Sequence, residues 1–284
     1  MANENCSILI NSCDSYEDIW TPFFSCFEEH WKNCPYPIYL NTETKSYEFG
    51  DLKIHSLHSF NKHCAWGERL RDCLSRINTE YVLMLFDDFC LENKVNQKEI
   101  ELCLNALHEN EDIDAFYIIH VFPELTENNN KKFVEVPRGK AYRLNSAPGV
   151  WRKSRLLEYT GKIDTPWAWE YYGTYRTEKL KQSKIYVLNA LADLYPYNYR
   201  MGGAIHKGKW VKSVIEPINK KYNLNIDFSK RGFDDEIEHK VSFLYRLKFR
   251  YIGFRMLGLK ALYIYIDRII KRMIGKFKKT VSSI

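Results

Sequence analysis

Two adjacent carboxylates, Asp87 and Asp88, are the residues of this sequence whose type and spacing are best suited to chemistry. They follow five apolar residues in a row, Val82 to Phe86. An apolar run of that length bounded by charge is typical of a strand buried on both faces of a parallel sheet. Mg²⁺ and Mn²⁺ prefer oxygen ligands and are commonly shared between one or two carboxylates and substrate phosphates. The pair therefore predicts a divalent cation site, with a solvated strand end as the alternative interpretation.

The segments around this pair alternate between strand-like and helix-like patterns. Strands are predicted at 7–11, 37–43, 51–57, 82–86, 114–122 and 184–191, and helices at 19–31, 65–77 and 96–110. Such alternation predicts an α/β fold with a mostly parallel central sheet and helices on both faces. Ligands of such sheets bind outside the carboxyl ends of the strands, where the stretches "NSCDSY" and "FDDF" both fall.

Composition limits the class of protein. At 284 residues and 45% hydrophobic content, the chain suits one substantial α/β domain with an appendage. No apolar run approaches the roughly 18 residues of a spanning helix, and the amino terminus does not resemble a signal peptide. The eight cysteines lie between Cys6 and Cys103 without a CxxC pair, which indicates reduced core thiols. We therefore expect a cytoplasmic protein without an integral membrane anchor.

The charge is concentrated at the carboxyl end. From Lys240 onward there are twelve basic residues and one acid, a net charge of +11, which leaves −5 for the rest of a chain whose total is +6. This asymmetry indicates an anionic partner for the tail. We predict a catalytic domain over 1–235 and a helical tail over 236–284.

The tail pattern is that of an amphipathic helix. Its apolar stripe is flanked by basic residues and many tyrosines, which suits the headgroup region of an anionic membrane; the stripe consists of Ile266, Ile270, Met273 and Phe277. We expect the tail to hold the protein at the inner face of the cytoplasmic membrane. A terminal helix packed on the body is the alternative. Nucleic acid is not expected as a partner, because no recognition motif accompanies the basic residues.

A glycine-rich basic stretch, "MGGAIHKGKWVK" at 201–212, could form a mobile loop that closes over a diphosphate. His206 could bind a metal or a phosphate oxygen, and Lys209 could neutralise a leaving group. The GxxxxGK[ST] spacing of a P-loop is absent. An ordinary surface loop is the alternative interpretation.

The segment "WGERLRDCLSRINTEYVLMLFDDF" resembles the GT-A glycosyltransferases, especially the family-2-like enzymes that build bacterial surface polysaccharides. With "CDSYEDIWTPFF", "TPWAWE" and "GKW", the chain looks like the capsule and lipopolysaccharide enzymes of that fold over about residues 5 to 212. The resemblance implies a Rossmann-like nucleotide-binding domain. It also implies an Asp cluster that holds a metal ion and the diphosphate of a sugar nucleotide.

The resemblance assigns roles to donor-binding residues. Asp14 matches the position that contacts the base and ribose, although an Asx turn or helix cap explains it equally well. Either Arg69 or Arg71 matches a helical arginine near the nucleotide. Asp87 and Asp88 match the metal-binding cluster but depart from its usual Asp-any-Asp spacing. Either Asp88 alone binds the metal while Asp87 contacts the ribose or donor sugar, or metal binding is weak.

In the family, a Glu or Asp at the start of the helix after the acceptor loop is the catalytic base, which makes Glu170 the candidate here. A carboxylate in an aromatic, partly desolvated pocket suits proton abstraction from an acceptor hydroxyl. Trp167 and Trp169 would supply that pocket and a stacking surface for the acceptor sugar. An acid placed favourably in the first helical turn is the alternative for Glu170, and Asp164 is the alternative base.

Together these features predict a metal-dependent, inverting glycosyltransferase that moves a sugar from a nucleotide donor to a lipid-linked glycan acceptor. Two other functions fit the same residues. One is a metal-dependent phosphotransferase or nucleotidyltransferase that uses the same Asp pair. The other is a catalytically silent membrane-peripheral partner in a polysaccharide assembly complex, which would be indifferent to Asp88→Ala and Glu170→Gln.

Overall fold

The central element of the computed structural model is an eight-stranded sheet of order β3-β2-β1-β4-β7-β5-β8-β6. The structure describes residues 5–59, 61, 63–126, 130–189, 193–199, 202–234, 242–267 and 269–270. The strands are β1 Cys6–Asn11, β2 Ile38–Thr42, β3 Ile54–His58, β4 Tyr81–Phe86, β5 Ile113–Tyr117, β6 Phe133–Glu135, β7 Gly149–Arg152 and β8 Lys184–Leu188. A separate hairpin joins β9 Ile205–His206 to β10 Lys209–Trp210.

The parallel part of the sheet positions the carboxylates. Strand β1 pairs in parallel with β2 on one side and with β4 on the other, and the register sets Asn11 beside Phe86. Every residue of β1 is buried, as are all residues of β4 except the half-buried Phe86. The ends of β1 and β4 therefore lie side by side, and the Asp pair emerges at that edge.

Helices connect and cover the strands. They are α1 Glu17–Trp31, α2 Trp66–Arg76, α3 Gln97–Glu109, α4 Pro123–Thr126, α5 Lys153–Tyr159, α6 Pro166–Tyr171, α7 Lys212–Tyr222 and α8 Phe243–Leu257. A large aromatic cluster of α1, in which Phe23, Phe24 and Phe27 are almost fully buried, packs within the main core. Burial of this apolar surface is the main stabilising contribution to the fold.

The predicted α/β class is confirmed, with two additions to the sheet. All six predicted strands are present, although the strand predicted at 114–122 ends at Tyr117 and the strand predicted at 184–191 ends at Leu188. Strand β7 runs antiparallel between β4 and β5, and β6 is an antiparallel edge strand beside β8. The sequence prediction left the region of β7 unassigned and treated the stretch before β6 as a loop.

The tail is described only in part. Helix α8 ends at Leu257 and is followed by Gly258, whose φ of 60° favours glycine, and residues 259–267 are again helical. Ile266 and Ile270 of the predicted stripe are exposed, whereas Met273 and Phe277 lie outside the described residues. The predicted boundary between 1–235 and 236–284 stays a prediction. Within the described residues, no helix is long and apolar enough to span a membrane.

Candidate active site

The Asp pair lies at the end of β4, as predicted, but its two carboxyl groups have different surroundings. Asp87 is buried, its backbone N–H donates to Asn11 O at 3.2 Å, and its carboxylate accepts a hydrogen bond from the Ser12 hydroxyl. Trp20 Nε1 donates in turn to Ser12 Oγ at 2.6 Å. Asp88 is only half-buried. The pair is therefore built into the sheet edge, and Asp88 is the more accessible member.

Burial disfavours the ionised form of both carboxyl groups. It raises the pKa of Asp87 to about 7. Burial and the neighbouring Asp87 charge raise the pKa of Asp88 well above its usual range, while backbone hydrogen bonding from Ile205 acts against this shift. Two carboxylates brought together in a poorly solvated site favour a bound cation, because its positive charge offsets both the cost of burial and the repulsion between the carboxylates.

Gly203 lies against Asp88. The Ala204 N–H donates to Asp88 O at 2.9 Å, and a Cβ built on Gly203 would stand only 2.8 Å from the Asp88 carboxylate. The φ of Gly203 is +97°, which L side chains rarely adopt. The segment 202–204 therefore approaches Asp88 in a way that only glycine allows at position 203.

We expect Asp87→Asn to stabilise the ligand-free protein at alkaline pH. Because folding raises the pKa of Asp87, the folded state binds more protons than the unfolded state, and stability falls as the pH rises from about 4 to about 7. Asparagine has no such charge to bury. The free energy of unfolding of the Asp87→Asn protein, measured in urea, should exceed that of the wild type by about 1–3 kcal/mol at pH 8, with little difference near pH 4.

Asp112→Asn is the matched control for this comparison, because Asp112 is partly exposed and pairs with Lys184 at the surface. The free energy of unfolding of Asp112→Asn should not exceed that of the wild type at pH 8. An equal loss of stability in Asp87→Asn at both pH values would instead mean that the carboxylate is needed for its bond with Ser12.

The two candidate arginines are separated by the structure. Arg69 is buried and reaches the sheet edge, where it pairs with Glu43 and donates to Ser12 O at 2.8 Å. Arg71 instead donates to the carbonyls of Leu157 at 2.5 Å and Thr160 at 2.6 Å. Arg69 is therefore the arginine beside the candidate donor site, and Arg71 ties α2 to α5.

Asp14 orders a loop rather than presenting a free carboxylate. Its oxygens accept hydrogen bonds from the backbone N–H groups of Glu43, Thr44 and Lys45, at 3.0 to 3.2 Å, and from the Thr44 hydroxyl. Partial burial acts against ionisation, but the hydrogen bonds from Thr44 and Lys45 hold the pKa of Asp14 below its usual value. This arrangement fits the turn interpretation better than a contact to a nucleotide.

Glu170 lies in α6 at the edge of the core. Helix α6 begins at Pro166, with the Thr165 side chain accepting from Ala168 N at 3.2 Å, so Glu170 lies outside the first turn. The alternative that it complements the positive end of the helix dipole is therefore wrong. Its carboxylate accepts from Ser146 N at 2.6 Å, and burial raises its pKa.

The two tryptophans beside Glu170 have opposite surroundings. Trp167 is 61% exposed, three residues before Glu170 on the same side of α6. Trp169 is fully buried and packs against Trp66 and Trp151 with ring centroids at 5.9 and 6.1 Å. The buried ring does not fit the predicted role of Trp169 as a sugar platform, because neither face is open.

Asp164, the alternative base, is fully buried and forms a two-contact ion pair with Arg176. Its carboxylate also accepts from Gly161 N at 2.8 Å. An ion-paired carboxylate with no exposed surface is poorly placed to take a proton from a substrate. Of the two carboxylates, Glu170 is the better candidate base.

Trp66 connects the end of β4 to the helix that carries Glu170. Its ring packs against Phe86, which precedes the Asp pair, at 6.3 Å and against Trp169, which precedes Glu170, at 5.9 Å. On the other side of the pair, Phe89 stacks on Tyr197 at 4.4 Å. Helix α6 therefore lies beside the end of β4, where the candidate metal ligands emerge.

Within the predicted loop at 201–212, residues 205–210 form the β9–β10 hairpin, and α7 begins at Lys212. His206 and Lys209 are paired across it, with positive φ angles at Lys207 and Gly208 in the two-residue turn. His206 Nδ1 lies 2.5 Å from Asp234 Oδ2. The hairpin starts directly after the Gly203–Ala204 contact with Asp88, so it lies beside the candidate site.

Arg231, which the sequence prediction missed, fastens this hairpin to the body. Its guanidinium forms two hydrogen bonds to Asp18, at 2.6 and 2.7 Å, and donates to Ser15 O at 2.7 Å. It also lies over the rings of Tyr16 and Trp210, at 4.2 and 5.4 Å. Its charge helps to lower the pKa of Asp87 against the effect of burial.

We expect Arg231→Met to lower the free energy of unfolding by about 1–3 kcal/mol, because it leaves the partly buried Asp18 carboxylate without its partner. Urea unfolding followed by circular dichroism measures this change. The exposed neighbour Lys230 provides the control, since Lys230→Met should be close to neutral. Equal effects of the two substitutions would contradict the anchoring role of Arg231.

A divalent cation at the Asp pair would need further ligands besides these two side chains. Among the residues that the structure describes, no three His, Cys, Asp or Glu side chains form a group that could hold a metal ion. Mg²⁺ and Mn²⁺ are often held by one or two carboxylates and complete their coordination with substrate phosphates and water. Asp88, with Asp87, would hold such an ion, and the remaining ligands would come from a diphosphate.

Comparisons with known proteins support the fold. No protein-family model matches the sequence, and a search of curated proteins gives no significant match. The crystal structure of S. aureus TarS 1-349 in complex with UDP is similar, with a TM-score of 0.52 and 12% identity over 92% of this chain and 83% of that one. The complex of the same S. aureus protein with UDP-GlcNAc has a TM-score of 0.46 and 11% identity over the same shares.

This likeness agrees with the predicted GT-A fold. At 12% identity it shows the fold alone. The class defined by the fold is thus an α/β protein of the GT-A type, with two carboxylates at the end of its fourth strand. Its activity has to be argued from the side chains.

Proposed function

We propose that this protein is a glycosyltransferase that moves a sugar from a nucleotide-diphosphate donor to a hydroxyl group of a glycan acceptor. The observation that carries this proposal is the position of the Asp pair at the end of β4, beside the helix that carries Glu170. Trp66 packs against Phe86, which precedes Asp87, and against Trp169, which precedes Glu170, with ring centroids at 6.3 and 5.9 Å. The pair would bind the donor diphosphate through a divalent cation, Mn²⁺ or Mg²⁺. The likeness to a UDP complex of the same fold supports this type of donor.

In the proposed reaction, Glu170 takes the proton of the acceptor hydroxyl while the hydroxyl oxygen bonds to the anomeric carbon of the sugar. The bond from that carbon to the diphosphate breaks, and the nucleoside diphosphate leaves with the bonding electron pair. A single displacement of this kind inverts the anomeric configuration. Burial raises the pKa of Glu170, which makes its ionised carboxylate a stronger base than an exposed glutamate. Trp167 offers an exposed ring on which an acceptor sugar could stack.

When bound, the cation would neutralise the charge that develops on the departing diphosphate. Arg69 and Lys209 are the cationic side chains proposed to assist it. His206 is a further candidate contact, although its Nδ1 is engaged by Asp234. The finer proposal is that the acceptor is a lipid-linked glycan of a bacterial surface polysaccharide, reached from the inner face of the cytoplasmic membrane.

The proposal is tested by incubating the protein with UDP-, GDP- and CDP-sugars, Mn²⁺ and lipid-linked acceptor extracts, and by analysing the products by mass spectrometry. Sugar transfer requires a free nucleoside diphosphate together with an acceptor heavier by one sugar. A product with a new phosphate linkage would indicate the nucleotidyl- or phosphotransferase alternative. A protein that binds membrane but turns over no donor would support the silent partner.

A further inference from the structure

Helix α8 carries an exposed apolar surface that nothing in the proposed chemistry explains. Of the fifteen large apolar side chains exposed among the described residues, twelve lie between 243 and 270. Phe243 is 72% and Leu244 76% exposed. Contiguous exposed apolar surface of this kind marks an interaction site rather than an ordinary soluble surface.

Helix α8 has two apolar faces. Its inner face packs on α6, where Phe249 contacts the rings of Tyr171 and Tyr172 at 5.6 and 5.2 Å. Gly253 lies so close to the Tyr172 ring that a Cβ would be only 2.2 Å from it. At 100° per residue, the outer face is turned away from this contact; it consists of Phe243, Leu244, Leu247, Tyr251 and Phe254.

Basic residues border the outer face on both sides. The same helical spacing sets Arg246 and Arg250 along one border and Lys248 and Arg255 along the other. All four are exposed, and the described part of the tail contains one acid, Asp267. An apolar strip between two basic rows complements a bilayer with anionic headgroups, in which the strip enters the acyl boundary and the rows meet the phosphates.

We propose that the outer face of α8 is a docking surface for an anionic lipid bilayer. A second copy of the chain fits this surface less well, because a two-fold contact between two such faces would bring basic rows together. The helical segment that follows α8 also exposes apolar side chains, which are Leu259, Leu262, Tyr263 and Ile266. The proposed docking surface rests on α8 itself.

The proposed docking helix packs on the helix that carries the candidate base. Helix α6, which carries Glu170, is the element on which α8 packs, because Phe249 and Ile252 of α8 lie against a small core cluster that includes Ala168 of α6. Binding of α8 to a bilayer would hold α6 next to the membrane surface. This part of the inference rests on the proposed function, since it places the acceptor base beside the lipid-linked hydroxyl.

Flotation of the full chain with lipid vesicles tests the docking surface. Wild-type protein should bind phosphatidylcholine vesicles that contain about one third phosphatidylglycerol and should bind pure phosphatidylcholine much less. Leu244→Glu combined with Tyr251→Glu should weaken binding by about tenfold or more, because two carboxylates would have to enter the acyl boundary. Arg246→Gln combined with Lys248→Gln should weaken binding to the anionic vesicles only.

Leu102→Glu is the matched control, because Leu102 is 52% exposed on α3, outside the tail. It should bind vesicles as the wild type does. Equal vesicle binding by the wild type and the Leu244/Tyr251 double variant would overturn the proposal. So would concentration-dependent dimerisation of the wild type that the double variant abolishes, since the occupant would then be a second copy.

Circular dichroism and UDP binding of each variant separate the two proposals. A folded double variant that binds UDP but not vesicles supports the docking surface. A wild type that binds anionic vesicles through α8 but no nucleotide keeps the docking surface and contradicts the glycosyltransferase.

Discussion

Replacing Glu170 by Gln is expected to lower the rate constant of sugar transfer by about 10²–10⁴-fold, the usual contribution of a general base. Glutamine keeps the size of the side chain and can still accept the hydrogen bond from Ser146 N, but it cannot take up a proton. The affinity for the nucleotide should change little, since Glu170 contacts the acceptor in this account. Steady-state transfer rates and calorimetric nucleotide binding measure the two effects.

The pH dependence of transfer provides a second signature of Glu170. A base acts in its ionised form, and burial raises the pKa of Glu170, so the rate should increase with pH through a pKa above the ordinary value of a glutamate. This increase of the rate with pH should be absent from the residual activity of Glu170→Gln. Asp164→Asn is the comparison variant. Breaking its ion pair with Arg176 should destabilise the fold but should leave the increase of the rate with pH in place. Full activity of Glu170→Gln would assign the base elsewhere.

Replacing Asp88 by Ala is expected to abolish cation-dependent binding of the donor nucleotide. Asp88 is the more accessible carboxylate of the pair, and Asp87 is already held by Ser12. Loss of the principal carboxylate ligand should weaken binding in the presence of Mn²⁺ by at least about 100-fold, a loss of roughly 3 kcal/mol. Binding without Mn²⁺ should be weak in both proteins and nearly equal.

Thermal unfolding shows whether Asp88→Ala loses nucleotide binding because a ligand is missing or because the protein is misfolded. Removal of the half-buried Asp88 carboxylate from beside the buried Asp87 should leave the ligand-free Asp88→Ala protein at least as stable as the wild type, because the pKa of Asp88 is raised by burial and by Asp87. Added Mn²⁺ and nucleotide should raise the melting temperature of the wild type only. A similar rise in both proteins would show that the cation is held without Asp88.

Local patterns made the position of the Asp pair predictable. A run of five apolar residues has few places in an α/β protein other than a central strand, and β4 is that strand. The polar residues that follow it must then lie at the carboxyl edge of the sheet. Arg69 and Arg71, by contrast, are only two residues apart on one helix, and the hydrogen-bond partners that separate them become neighbours only through tertiary packing.

The features that were missed depend on contacts between distant parts of the chain. Strand β7 is four residues long and inserts between two strands that precede it in sequence, so its short pattern gives little signal. Arg231 reaches Asp18 across more than 200 residues. Trp169 and Trp167 have the same residue type and similar neighbours in sequence, and only the packing of α6 makes one buried and the other exposed.

Calorimetric titration of UDP, GDP and CDP into the wild-type protein and Asp88→Ala, each with and without Mn²⁺, tests the central claim most directly. A nucleotide-sugar transferase built on this Asp pair should bind one of the three diphosphates in a Mn²⁺-dependent manner, and Asp88→Ala should not bind it. Absence of binding to all three diphosphates, or binding that is equal in the variant, would contradict the account.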